Sequence, residues 1–109
     1  MIYAIDFDGT LCSNAWPDIG EPNTEVIRFL KREQANGAEL ILWTMREGET
    51  LEKALLWCEQ HGLVFSAVND NSEIQKAKYN NNPRKVFADF YIDDRNMTLE
   101  QIYDKEEEQ

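Results

Sequence analysis

The stretch MIYAIDFDGT, residues 1–10, carries Ile2 to Ile5 without a charge and then places Asp6, Phe7, Asp8, Gly9 and Thr10 in succession. A continuous apolar run, as opposed to an alternating one, suits a strand covered by helices on both faces. Three later segments rich in β-formers complete the set: ELILWT at 39–44, LVFSAV at 63–68 and FADFYID at 87–93, each with polar or acidic residues at or just past its end. The segments between them read as helices. After Asn23, a plausible N-cap, Val26, Ile27, Phe29 and Leu30 form an apolar stripe that Gly37 ends; Leu51, Ala54, Leu55 and Cys58 repeat at helical spacing before Gly62; SEIQKAKY at 72–79 is short and NNNP at 80–83 breaks it.

Strands alternating with helices predict an α/β three-layer sandwich around a mostly parallel sheet. Right-handed crossovers then gather all strand C-termini at one edge, where open parallel sheets bind ligands. That edge would collect Asp6 and Asp8, Thr44 and Arg46, Asn69 to Asn71, and Asp93 and Asp94.

With 109 residues, of which 42% are hydrophobic, the chain has room for one core. We expect a single domain over residues 1–103 and a solvated acidic tail over 104–109, DKEEEQ. A net charge of −10 argues against stable binding to nucleic acid or an anionic membrane, both polyanions. No apolar run approaches a membrane span, and we expect no basic-then-apolar leader ahead of the first strand. Cys12, in a segment that reads as an exposed loop, and Cys58, in a helix, lack metal-type spacing and are expected to be reduced thiols of a cytoplasmic protein.

Several carboxylates on one edge repel one another unless a counter-ion joins them. Mg²⁺ suits them, since it binds through a few carboxylates, waters and substrate phosphate oxygens. Taken singly, strand-end acids are more often caps of turns; acids at both ends of the chain converging on one edge favour a site.

DFDGT after an apolar strand resembles the first motif of the haloacid dehalogenase superfamily of phosphotransferases, Asp-x-Asp-Gly-Thr. LILWT is similar to its second motif, a strand ending in Thr or Ser, and FYIDD to its fourth, a strand ending in paired acids. The three occur in order and span residues 6 to 94. The resemblance, closest to small 5′-(deoxy)ribonucleotidase-like phosphatases, implies a Rossmann-like core and a Mg²⁺-dependent phosphatase acting on a small phosphomonoester such as a nucleotide or sugar phosphate. Asp6 would be the nucleophile and Asp8 the acid/base, with Gly9 freeing the turn between them. Thr44 would donate to a phosphoryl oxygen. Metal would be held by Asp6, by Asp8 through its backbone carbonyl, and by Asp93 with Asp94 close by.

The third motif, a cation upstream of the fourth, has four candidates: Lys76, Lys78, Arg84 and Lys85. Lys85 precedes Asp93 by eight residues, which would put it roughly 26 Å from the edge if the segment were extended at ~3.3 Å per residue, and this favours Lys76 or Lys78. The resemblance favours Lys85, because similar phosphatases carry a basic residue shortly before an AD…IDD stretch. We take Lys85 as the expectation and Lys78 as second.

No stretch is long enough for the cap domain that many members insert. LCSNAWPDIGEPN would form at most a short flap, leaving selectivity to that flap, a neighbouring subunit in a homo-oligomer, or the substrate's bulk. Gly9, Thr10, Arg46 and Asn69 are candidate substrate contacts, although a pair with Glu47 or Glu49 is the simpler reading of Arg46, and Trp16 could stack on substrate or on its own domain. His61 reads as a helix-end charge remote from the acids. Competing readings are a phosphotransferase, a phosphatase module of a larger assembly, a receiver-like phosphoacceptor or a silent relative. A receiver would carry its acceptor acid at a mid-chain strand end, where Thr44 stands, and no key acid is missing.

Overall fold

The computed structural model describes residues 1–107. Its elements are β1 (Ile2–Ile5), β2 (Cys12–Ala15), β3 (Asp18–Pro22), α1 (Thr24–Ala35), β4 (Glu39–Leu42), α2 (Gly48–Gln60), β5 (Ala67–Val68), α3 (Glu73–Tyr79), β6 (Phe90–Ile92) and α4 (Leu99–Glu107). The main sheet is four-stranded, in the order β5-β4-β1-β6, and every pairing in it is parallel. This is the predicted α/β architecture.

All four residues of β1 are buried, as its unbroken apolar run requires. Tyr3 and Ile5, with Leu40 and Leu42 of β4, face α1 and α2 through Ile27, Leu30, Ala54 and Cys58. Ile2, Ala4 and Ile41 face the opposite way and are covered by Val86 and Ala88. The chain moves from β1 to β4 to β5 with its crossover helices on one side, then reverses across the sheet to β6. Right-handed crossovers put that return, with α3 and the 80–89 segment, on the other face. The reversal makes the C-terminal end of β1 the topological switch point, and the next residue is Asp6.

Local chemistry sets the helix ends. The Asn23 side chain accepts from the Val26 N–H at 3.4 Å, and Ser72 accepts from Gln75 at 3.3 Å. Gly37 and Gly62 follow α1 and α2 at φ +95° and +83°.

The structure departs from the sequence reading in several places. The strands expected at 63–68 and 87–93 shorten to Ala67–Val68 and Phe90–Ile92. The flap segment is an antiparallel hairpin, β2–β3, joined through a cis Trp16–Pro17 peptide. Cys12 lies on it and is buried, not in an exposed loop, because its thiol packs into the core beside Phe7 and Leu11. Residues 104–107 are not a loose tail but the end of α4, while 108–109 lie outside the described residues. A reciprocal pair starts that helix: Thr98 N–H donates to Gln101 Oε1 at 2.7 Å, and Gln101 N–H to Thr98 Oγ1 at 3.2 Å. This Thr-x-x-Gln capping box was present in the sequence as a signal. No helix among the described residues is long and apolar enough to cross a membrane.

Candidate active site

Ladder bonds at the strand tops bring the acids together. Asp6 N–H donates to the Ile92 carbonyl at 2.9 Å and Trp43 N–H to the Ile5 carbonyl at 2.8 Å. The residues just past β1, β4 and β6 therefore stand side by side. Carboxylate oxygens of Asp6, Asp93 and Asp94 lie within 4.8 Å of one another. Burial is the largest cause pushing the Asp6 carboxyl up to about 6, and Asp93, Asp94 and Asp8 push in the same direction against a backbone hydrogen bond from Phe7. Three hard oxygen donors converging in this way fit Mg²⁺, whose charge would relieve the repulsion.

The turn after Asp6 is shaped for this convergence. Gly9 has φ +84°, and a Cβ there would collide with the Asp94 carboxylate, whose Cγ would be 2.9 Å away. Thr10 is buried, and its Oγ1 accepts the Asp94 N–H at 3.1 Å. Gly9 leaves room for the Asp94 carboxylate and Thr10 bonds its backbone; the buried Thr10, expected as a substrate contact, is committed to Asp94 instead. At the top of β4, Thr44 N–H donates to Asn69 Oδ1 at 2.8 Å, and Thr44 Oγ1 accepts the Arg46 N–H at 3.1 Å. The Thr44 hydroxyl proton remains available to a ligand, and Asn69, at φ 53°, serves to place Thr44 as well as to line the cleft.

Arg46 is the largest departure. It is 2% exposed and pairs neither with Glu47 nor with Glu49. Its Nε donates to Asp8 Oδ2 at 2.9 Å and its Nη2 to Asp8 Oδ1 at 2.7 Å. The guanidinium also bonds the carbonyls of Pro17, Asp18 and Thr50. Its N–H groups thus have partners within the chain, which corrects the expectation that it contacts substrate. The hydrogen bond to Asp8 is the main cause raising the guanidinium above its ordinary range. The Asp8 carboxylate accordingly stands outside the group of Asp6, Asp93 and Asp94 that could hold a metal ion; the resemblance asks only for its carbonyl. Each Asp8 oxygen keeps a lone pair for a proton, and the side chain borders a basin with Asp6, Asn14, Thr44 and Arg95.

A cleft of about 510 Å³ opens beside this basin, lined by Asp6, Trp43, Thr44, Met45, Asn69, Arg84 and Asp93. Its cation is Arg84. Lys85, the expected one, lines the adjoining cleft, which shares Trp43 and Asp93, and its Nζ lies 5.8 Å from the Tyr91 ring. Lys76 is tied to Asp70 at 2.7 Å and Lys78 lies over Tyr79 at 5.3 Å. The 26 Å argument fails because the chain before Asp89 does not extend β6 downward in line. Asp89 N–H still bonds the Ile2 carbonyl at 2.8 Å beside β1, but the residues preceding it fold back along the sheet face, with Val86 and Ala88 on Ile2, Ala4 and Ile41. Asn71, buried, clamps this segment: its amide donates to Asn82 Oδ1 and the Pro83 carbonyl, both at 3.0 Å, and accepts from Phe87 N–H at 2.6 Å.

Trp43, Met45 and Arg95 were not singled out from sequence. Their signal is adjacency, since each flanks a residue that was: Thr44 for the first two and Asp94 for the third. His61 packs at a tilt against Trp57, ring centroids 4.1 Å apart, and borders a separate cavity with Arg28 and Lys31. Cys12 and Cys58 are free, and burial raises both thiols, Cys58 to about 12.

No family model and no curated protein matches the chain. A solved structure described as that of the conserved protein coded by a locus from Bacteroides thetaiotaomicron matches with a TM-score of 0.78 and 38% identity, covering 99% of this chain and 90% of that one. The chain belongs to the same family as that protein.

Proposed function

We propose that the protein is a Mg²⁺-dependent phosphomonoesterase of the haloacid dehalogenase type, acting on a small phosphorylated substrate such as a nucleotide or sugar phosphate in the cytoplasm. One observation carries this reading: Asp6 lies at the switch point, within a cluster of three carboxylates, and lines the same cleft as Thr44 and Arg84. Asp6, Asp93 and Asp94 would hold the metal, which when bound neutralises charge on the phosphoryl oxygens and the nucleophile.

An Asp6 oxygen attacks phosphorus, forming an aspartyl phosphate and breaking the bond to the ester oxygen. Asp8 gives its proton to that leaving oxygen, so the alcohol departs neutral. Water then attacks the phosphorus of the aspartyl phosphate, its proton passes to Asp8, and phosphate leaves as the Asp6 carboxylate is restored. Thr44 and Arg84 orient the phosphoryl group and stabilise its spread charge. Trp43 and Met45, the latter 99% exposed, supply apolar surface at the mouth.

The test is phosphate release across nucleotides and sugar phosphates, with and without Mg²⁺, beside Asp6→Asn. We expect Mg²⁺-dependent turnover and a loss of at least roughly a thousandfold in the variant. Equal release by both proteins would sink the mechanism.

A further inference from the structure

We propose that Arg46 is a positioning residue that locks Asp8 and the β2–β3 hairpin together as one fixed wall of the phosphoryl site. The inference rests on the phosphomonoesterase reading for its kinetic consequence; the lock itself stands on geometry.

Three segments meet at this guanidinium. Asp8, just beyond β1, receives two bonds; the carbonyls of Pro17 and Asp18 in the hairpin turn and of Thr50 in the first turn of α2 receive the rest. The Arg46 backbone N–H anchors to Thr44 Oγ1. Its Cζ lies over both the Phe7 and the Trp16 ring, 5.0 Å from each centroid, so two aromatic faces pack against the planar group. The side chain is 1% exposed.

This arrangement has two consequences. Bidentate pairing in a fork leaves the Asp8 carboxylate one orientation, with its remaining lone pairs toward the basin. The hairpin, which otherwise presents mostly exposed residues, is held to the core through the same group. It is therefore a wall and not a lid that swings. Trp16, 57% exposed, is explained as the cover of Arg46 and need not stack on substrate. Lysine cannot replace this residue, because a point charge with three donors does not match a planar fork serving acceptors in several directions.

The experiment compares wild type, Arg46→Lys and Arg46→Ala with p-nitrophenyl phosphate and Mg²⁺, alongside amide hydrogen exchange. With no spare donor for substrate, loss of Arg46 should act on orientation: kcat falls by about tenfold to a hundredfold while KM stays within about twofold. Exchange should quicken across residues 12–22 and stay unchanged in β1 and β4. Guanidinium ion should partly restore kcat in Arg46→Ala, where sodium chloride of equal ionic strength does not. A raised KM with unchanged kcat would make Arg46 a substrate contact, and unchanged hairpin exchange in both variants would remove the lock. If wild type turns over no phosphoester, the phosphatase reading fails and exchange alone decides the lock. Should neither Arg46 variant fold, Asp8→Asn, which weakens the same fork, must quicken hairpin exchange or the proposal falls.

Discussion

Replacing Gly9 by alanine tests the convergence of the two chain ends more sharply than removing any acid. Two penalties add at this position. The backbone is at φ +84°, where an L-residue pays about 1–2 kcal/mol. The new methyl would also meet the Asp94 carboxylate, and turning that side chain away from its rotamer costs about 0.5–1.5 kcal/mol more. The sum, about 1.5–3.5 kcal/mol, corresponds to a fall in Tm of roughly 6–25 °C for a domain of this size. Gly37→Ala is the matched control: φ is +95° there, but nothing lies within 4 Å of a Cβ, so it pays for the backbone alone. The assay is thermal unfolding of both variants with and without Mg²⁺, read by circular dichroism. Gly37→Ala should keep the full Mg²⁺-dependent rise in Tm. Gly9→Ala should lose most of that rise, because Asp94 is driven from the cluster. If Gly9→Ala gains as much from Mg²⁺ as Gly37→Ala does, Asp94 is no part of the metal site and the reasoning is wrong.

Two further predictions concern charge. In the metal-free protein the Asp6 carboxyl stands at about 6 against an ordinary 3.8, so between those values the folded state binds a proton that the unfolded state lacks, and stability falls as pH rises through the window. The whole difference would be worth about 3 kcal/mol, which solvent screening of this partly exposed group reduces to about 1 kcal/mol. Mg²⁺ displaces that proton, so its gain in Tm should be larger at pH 7.5 than at pH 5; equal gains would separate Asp6 from the metal. Arg84→Ala should lower kcat/KM by about tenfold to a hundredfold, whereas Lys85→Ala should stay within about threefold, as steady-state kinetics with a phosphomonoester will show. The reverse ranking would return the phosphoryl-binding role to Lys85.

The buried strand β1, the switch from helical to extended periods and the glycines after α1 and α2 were legible in the sequence because each is a local rule acting over a few residues. So were Asp6, Asp93 and Asp94: strand-end position follows from chain order and crossover handedness, and two chain ends sharing one sheet edge need no side-chain detail. Other features depended on which side chains meet at long range. Arg46 read as a substrate contact or a partner of Glu47 or Glu49, because those neighbours in sequence are nearer than Asp8, 38 residues away. Only the assembled hairpin and α2 surround it with enough carbonyls to make its burial affordable. The choice between Arg84 and Lys85 turned on the path of residues 84–89, which is set by Val86 and Ala88 packing on the sheet and by the Asn71 clamp, not by any pattern within the segment itself. Local chemistry thus determined where the acids stand along the chain, and tertiary packing decided which cations answer them.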